Sequence, residues 1–237
     1  MTNDTILALS EIQTYMAQHH ILQGITFNVK SGRVTTLLGR NGAGKSSTLK
    51  TIMGLYPPQA GEITFAGEAI QGMEPYEVAQ RGVGFVPEDQ AIFYHLTVEE
   101  NMTLAMLDDN PKTQERCDRM LNLFPDLKKY WKSKGGVLSG GQRQMLAIAR
   151  SMVNDNKLLL IDEPSKGLAP ILVDAIIEAF NELKKTETII LVEQNFHMAT
   201  SCGDDYHIID DGRVVNSGLI EDLESNEELK QKFLGIG

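Results

Sequence analysis

Residues 39–47, GRNGAGKSS, constrain the fold of this chain more than any other stretch. They fit the spacing G-x-x-x-x-G-K-[ST] from Gly39 to Ser46. An apolar, strand-like run, Val34 to Leu38, precedes them. A predicted helix begins near Lys45 and stops by Gly54, just ahead of Pro57 and Pro58. Strand, glycine loop and helix in that order bring consecutive backbone N–H groups and the positive end of a helix to one point, which makes a cradle for phosphate. Gly39, Gly42 and Gly44 let the backbone wrap, and Arg40, Asn41, Ala43 and Ser47 complete the loop. In such a loop Lys45 reaches the β- and γ-phosphates of a nucleotide, and the Ser46 hydroxyl takes one position on Mg²⁺.

A second segment completes this chemistry. KLLLIDE reads as a strand buried on both faces, which places Asp162 at the C-terminal edge of a parallel sheet, where α/β folds bind ligands. Asp162 is then the Mg²⁺-holding carboxylate. Glu163, one residue on and free of the metal, suits a general base for attacking water.

Around these two segments the pattern alternates. The first ninety residues hold short β-like runs (ILALSEIQTY, ITFNV, VTTLL, EITFAG, GVGFV) separated by the turn signals KSG, PPQAGE and Gly67. From Thr97 to about Asn154 the character is helical. Thr97 and Glu100 form a capping box, and Met145, Ile148, Ala149 and Met152 fall on one helix face. Afterwards ILVDAIIEAFNELKK reads as an amphipathic helix, TIILVEQ as a buried strand, and YHIIDDGRVVNSG as a hairpin turning at Asp211-Gly212. One or two short helices close the chain. The expectation is a single α/β domain: a core from 1–87 and 155–237, split by a helical insertion at 88–154.

LSGGQ, Leu138 to Gln142, opens the Met145/Ile148 helix and sets Ser139, Gly140 and Gly141 at its N-terminus as a second anion cradle. Phosphate loop, LSGGQ and LLLIDE together resemble the ATP-binding cassette (ABC) family, over nearly the whole chain. Within that family GRNGAGKSS, GVGFVPE, LTVEEN, LSGGQRQMLAIAR, IDEPSKGLAP and ILVEQN are most similar to the shorter ATPase of bacterial branched-chain amino acid uptake systems. Urea-uptake ATPases share much of this pattern.

The resemblance implies a P-loop NTPase with a RecA-like core, an antiparallel β lobe and an inserted helical lobe. It implies ATP and Mg²⁺, and a head-to-tail dimer in which Ser139, Gly140, Gly141 and Gln142 of one subunit close over ATP held by the other. That dimer is a homodimer or a heterodimer with a second ABC ATPase. The expected partners are transmembrane permease subunits fed by an extracytoplasmic solute-binding protein, which places the chain in the cytoplasm on the inner face of the membrane.

Four positions depart from the family pattern. Gln194 stands where most members carry the His that contacts the γ-phosphate; Gln194 fills that switch role, with His197 as a shifted alternative. Ala169 replaces an Asp of the loop that crosses the dimer. Met16 aligns with the aromatic residue that stacks on adenine, with Tyr15 beside it, and either one covers the base. In GFVPEDQ, Glu88 occupies the place of a Gln that touches the Mg²⁺ site; it is read as a metal-proximal sensor, with Asp89 and Gln90 as turn residues and Gln90 as a substitute for it. Phe93 and Tyr94 are read as core residues bordering the groove that receives a permease helix in this family.

Composition removes other classes. A formal net charge of −10 argues against a sequence-blind grip on nucleic acid, and none is expected as a partner. The N-terminus carries Asp4 where a signal peptide would be basic, and the apolar runs are far short of the ~20 residues that span a bilayer. Cys117 and Cys202 match neither a disulfide framework nor a zinc pattern and read as reduced structural thiols. A repair-type ATPase needs a long coiled coil between Lys45 and Asp162, and the 117-residue step leaves no room for one. Kinases and GTPases with a P-loop lack LSGGQ.

Overall fold

The computed structural model describes residues 4–234. Strands β1 (Thr5–Met16), β2 (His19–Lys30) and β3 (Val34–Leu38) lead into helix α1 (Lys45–Ile52). Next come β4 (Ala60–Phe65), β5 (Glu68–Ala69), α2 (Pro75–Gln80) and β6 (Val83–Val86). Helices α3 (Val98–Ala105), α4 (Pro111–Leu123), α5 (Pro125–Lys129) and α6 (Gly140–Met152) succeed them without an intervening strand. The chain then alternates β7 (Leu158–Asp162), α7 (Pro170–Leu183), β8 (Ile189–Val192) and α8 (Phe196–Cys202). It closes with β9 (Asp205–Asp210), β10 (Arg213–Leu219), α9 (Ile220–Glu224), α10 (Glu227–Leu229) and a final helical turn, Lys230–Leu234.

Two sheets result. The larger runs β10-β9-β3-β8-β7-β6, parallel throughout except for β10, which pairs antiparallel with β9. The smaller, β2-β1-β4-β5, is antiparallel. Continuous apolar runs make the parallel strands because both faces of that sheet are covered. Along β7 the side chains alternate: Leu158 and Leu160 join the core shared with the small sheet and α1, while Leu159 and Ile161 join the core formed with α6 and α7. Each of these fully buried side chains contributes about 1.5–3 kcal/mol.

The helices α3 to α6 have no separate core. Val98, Met102, Met120, Phe124 and Leu146 belong to the same cluster as Leu159, Ile161, Ile176 and Phe180. Thr97 and Glu100 form the predicted capping box, with Thr97 Oγ1 accepting from the Glu100 N–H at 3.1 Å. The β9–β10 turn has positive φ at both Asp211 (+44°) and Gly212 (+70°), the geometry that a two-residue hairpin turn requires. Cys117 and Cys202 are free and buried.

Two features exceed the sequence pattern. β2 begins at His19, six residues before the ITFNV run, because the polar HHILQG segment is zipped onto β1 through Tyr15–His20 and Met16–His19 pairs. α2 is short and starts from an unusual glutamate cap, Glu74, which forms a box with Glu77.

Candidate nucleotide site

The glycine loop is held against the sheet by close backbone approach. Gly39 has φ +141°, and a Cβ there would lie 2.1 Å from the Ile209 carbonyl oxygen of β9, so no side chain fits. Gly44, also left-handed, caps α1. The Ala43 carbonyl accepts from the Gly212 N–H at 2.9 Å, tying the loop to the hairpin. Asn41 and Gly42 are exposed at the loop tip, whereas Lys45 is buried. Its Nζ donates to Gly39 O (2.8 Å) and Arg40 O (3.0 Å), so the ammonium sits inside the loop. Burial lowers the Lys45 pKa, while the fields of Glu163, Asp162 and Glu193 oppose that shift. The Arg40 guanidinium donates to Lys232 O at 3.1 Å, anchoring the loop to the closing turn.

Asp162, at the end of β7, meets the first turn of α1: Ser46 Oγ donates to its Oδ1 at 2.8 Å. Its Oδ2 is buried with no hydrogen-bond partner among the described residues. Burial raises the Asp162 pKa against the Ser46 hydrogen bond, and the nearby Glu163 and Glu88 carboxylates push it the same way. An orphaned carboxylate oxygen beside a serine hydroxyl is the hard oxygen pair that suits Mg²⁺.

Glu163 comes next with φ +46°, a strained conformation for a non-glycine residue. Its N–H donates to Val192 O at 2.9 Å across to β8, and its carboxylate accepts from the Gln194 side-chain amide. Lys166 Nζ lies 3.6 Å from the second Glu163 oxygen and also pairs with Glu88. The fold therefore brings Glu163 and Gln194 together, 31 residues apart in sequence. His197 is elsewhere, on α8 with Asp174 (3.5 Å) and Ser201 as neighbours. Glu88 is engaged with an ammonium, and it acts on Asp162 through its field. Gln90 turns away from these carboxylates, its amide 3.5 Å from Gly140 O.

The LSGGQ segment is a helix start held from within. Ser139 Oγ accepts from the Gln142 N–H, and Gln142 returns the bond through Oε1 to the Ser139 N–H. The Gln142 amide also donates to Asp126 at 2.8 Å, which commits its side chain to fixing the segment. A Cβ at Gly141 would lie 2.6 Å from Leu172 Cδ1, so a side chain there would have to displace the end of Leu172. At the far end of β1, the Tyr15 ring stacks on His20 (centroids 4.1 Å, 6° between planes). Met16 is the last residue of the strand and is about half exposed, as is Tyr15.

Two residues of this site had no role assigned from the sequence, although both lie in the quoted segments IDEPSKGLAP and ILVEQN. Lys166 lies in the SKG turn, and Glu193, 1% exposed, comes directly after β8 as a buried carboxylate. The signal for Glu193 was its position: Val192 pairs with Asp162 in register, so Glu193 lies at the same sheet edge as Glu163.

The ABC transporter family model matches residues 22–166. The chain belongs to the ABC transporter family. This ABC ATPase is 36% identical to the high-affinity branched-chain amino acid transport ATP-binding protein BraG of Pseudomonas aeruginosa, over 97% of the chain and 100% of that protein. It is 29% identical to the lipopolysaccharide export system ATP-binding protein LptB of Haemophilus influenzae, over 98% of both. A crystal structure of a nucleotide-free ATP-binding cassette from an ABC transporter superposes with a TM-score of 0.84 at 25% identity, covering 98% of this chain and 99% of that one. The chain thus has the P-loop ABC ATPase fold and hydrolyses ATP.

Proposed function

We propose that this ABC ATPase powers import of branched-chain amino acids, acting as a head-to-tail dimer on membrane permease subunits. The pairing of Glu163 with Gln194 beside Lys45 carries the mechanism. The loop N–H groups and Lys45 hold the β- and γ-phosphates of ATP. Glu163 is the general base for the attacking water, and the Gln194 amide orients that carboxylate and the γ-phosphate edge. Ser46 and Asp162 would hold Mg²⁺, which when bound would supply neutralisation of phosphate charge, and Glu88, whose field reaches Asp162, is the proposed sensor. Ser139, Gly140 and Gly141 of the second copy supply the opposite cradle, positioned by Gln142 and Asp126. Adenine is covered by Tyr15, which stacks on His20, or by Met16 beside it, both about half exposed.

The 36% identity to BraG over the full length of both chains supports the amino-acid cargo. Lipopolysaccharide export is the second reading, supported by the LptB likeness. No described helix is long and apolar enough to cross a membrane, so attachment to the inner face falls to the permeases. The groove lined by Met53, Gln80, Leu107, Arg150 and Asn156 is the proposed docking place. Arg150 lies over Phe93 (5.0 Å), which together with Tyr94 is half exposed rather than buried in the core.

Glu163→Gln decides the mechanism. It should lower turnover by about 10²-fold or more while ATP still binds, and size-exclusion should show a dimer only with ATP. Full turnover in this variant, or a monomer at saturating ATP, would sink the reading. Uptake of labelled leucine by cells with and without the gene tests the cargo.

A further inference from the structure

We propose that Glu193 is a positioning residue for ATP hydrolysis: its carboxylate clamps the loop bearing Glu163 to the loop bearing Gln194 and so fixes how the two groups face each other. The inference rests on the roles proposed above for Glu163 and Gln194.

Glu193 accepts four hydrogen bonds from two loops. Oε1 takes the Ser165 N–H at 2.9 Å. Oε2 takes the Ser165 hydroxyl at 2.9 Å and the N–H groups of Gln194 and Asn195, each at 3.0 Å. Ser165 stands two residues after Glu163, and Gln194 is the next residue along the second loop, so one carboxylate spans both.

A buried carboxylate costs several kcal/mol in lost hydration unless donors replace the water, and here four do. All four partners donate, so an acceptor-only group matches them and an amide does not. The main chain by itself leaves the pairing under-determined. Among the described residues, the main-chain link upstream of the clamp is the Glu163 N–H to Val192 O bond, and Glu163 then departs with φ +46°. Such a conformation persists only where its surroundings enforce it. Beyond that point Glu193 supplies the connection, and the Gln194 amide is aimed at Glu163 as a result.

The test uses the purified full chain with steady-state ATP turnover, normalised to ATP-binding-competent subunits. Glu193→Gln should lower kcat about 10-fold to 100-fold with KM for ATP within about twofold, because misplacing a catalytic pair acts on the transition state rather than on nucleotide binding. In a Gln194→Ala background the same change should remove less than about twofold more, since the two act through one contact. Unchanged kcat in Glu193→Gln beside a damaged Gln194→Ala overturns the clamp alone. Wild-type kcat in Gln194→Ala overturns the Gln194 assignment and the clamp with it. A Glu193→Gln loss that is as large without Gln194 as with it shows general destabilisation and overturns the proposal. Should Glu193→Gln fail to fold, Ser165→Ala removes only the hydroxyl bond; a several-fold lower kcat at unchanged KM supports the clamp, and parental kinetics overturn it.

Discussion

At position 88 the chain places a carboxylate close to the sheet edge that carries Asp162, and the structure supplies a partner for it. Lys166 bridges Glu88 and Glu163, and its pKa is raised, first by its hydrogen bond to Glu88 and then by the Glu163 field. Both members of the Glu88–Lys166 pair are largely open to solvent, so the pair does little for stability. Its consequence is functional. Glu88→Gln should melt with the parent protein and still bind ATP, while the Mg²⁺ concentration for half-maximal turnover rises about threefold or more, because the carboxylate whose field reaches Asp162 becomes neutral. An unchanged Mg²⁺ titration would remove Glu88 from the metal's surroundings. LSGGQ illustrates the same scale differently. There Gly141 lies against the end of the Leu172 side chain, and the Gln142 amide donates to Asp126, which holds the helix start in place.

At the scale of the element, the segment between β6 and α3 is shaped by its turn and by one buried side chain. Gln90 (φ +65°) and Ala91 (φ +47°) turn it sharply, and Asn101 holds the backbone from Phe93 to Thr97 in place. Asn101 is fully buried and accepts from the Phe93 N–H (2.9 Å) while donating to the carbonyls of Phe93, Leu96 and Thr97. Asn101→Leu keeps the branched skeleton with some added bulk and strands those backbone groups, so it should cost about 2–4 kcal/mol in chemical denaturation. A cost near zero would mean that the loop holds itself. Nothing in ENMTL announced this anchor. Its partners are all backbone atoms, which leave no residue-type signature.

At the scale of the molecule, the join between the two sheets matters most. The His207 ring of β9 packs on Phe27 of β2 at 4.7 Å and bonds to Ser217 Oγ at 2.6 Å, with its Nε2 enclosed and unpartnered among the described residues. Burial lowers its pKa below the ordinary value of 6.5, against the opposing influence of the nearby Asn28 backbone and the Asp205 field. The neutral ring is thus the folded form. Above the unfolded value neither state is protonated and nothing is lost. As pH falls below it, the unfolded chain takes a proton that the folded chain resists, so stability drops until the folded ring also titrates. Between roughly pH 7.5 and 5.5 the parent should lose more in melting temperature than His207→Gln, measured side by side so that shared carboxylates cancel. Equal losses would show that the join is insensitive to charge. The thiols add no such switch: burial pushes Cys202 up to about 12, far from reactive.

The amino-acid sequence by itself determined the phosphate loop, Asp162 and Glu163, the LSGGQ helix start, the parallel sheet with a helical insertion, and through their combination the family. These are local patterns, in which spacing and residue type fix backbone conformation within a few positions. The tertiary structure alone decided which distant groups meet. Gln194 rather than His197 reaches Glu163, Lys166 joins Glu88 to Glu163, Glu193 ties the two loops, and Tyr15 stacks on His20. These contacts arise because β7 and β8 pair in one register and because β1 and β2 form one hairpin. A side-chain contact across strands depends on that register, which no short stretch of sequence encodes.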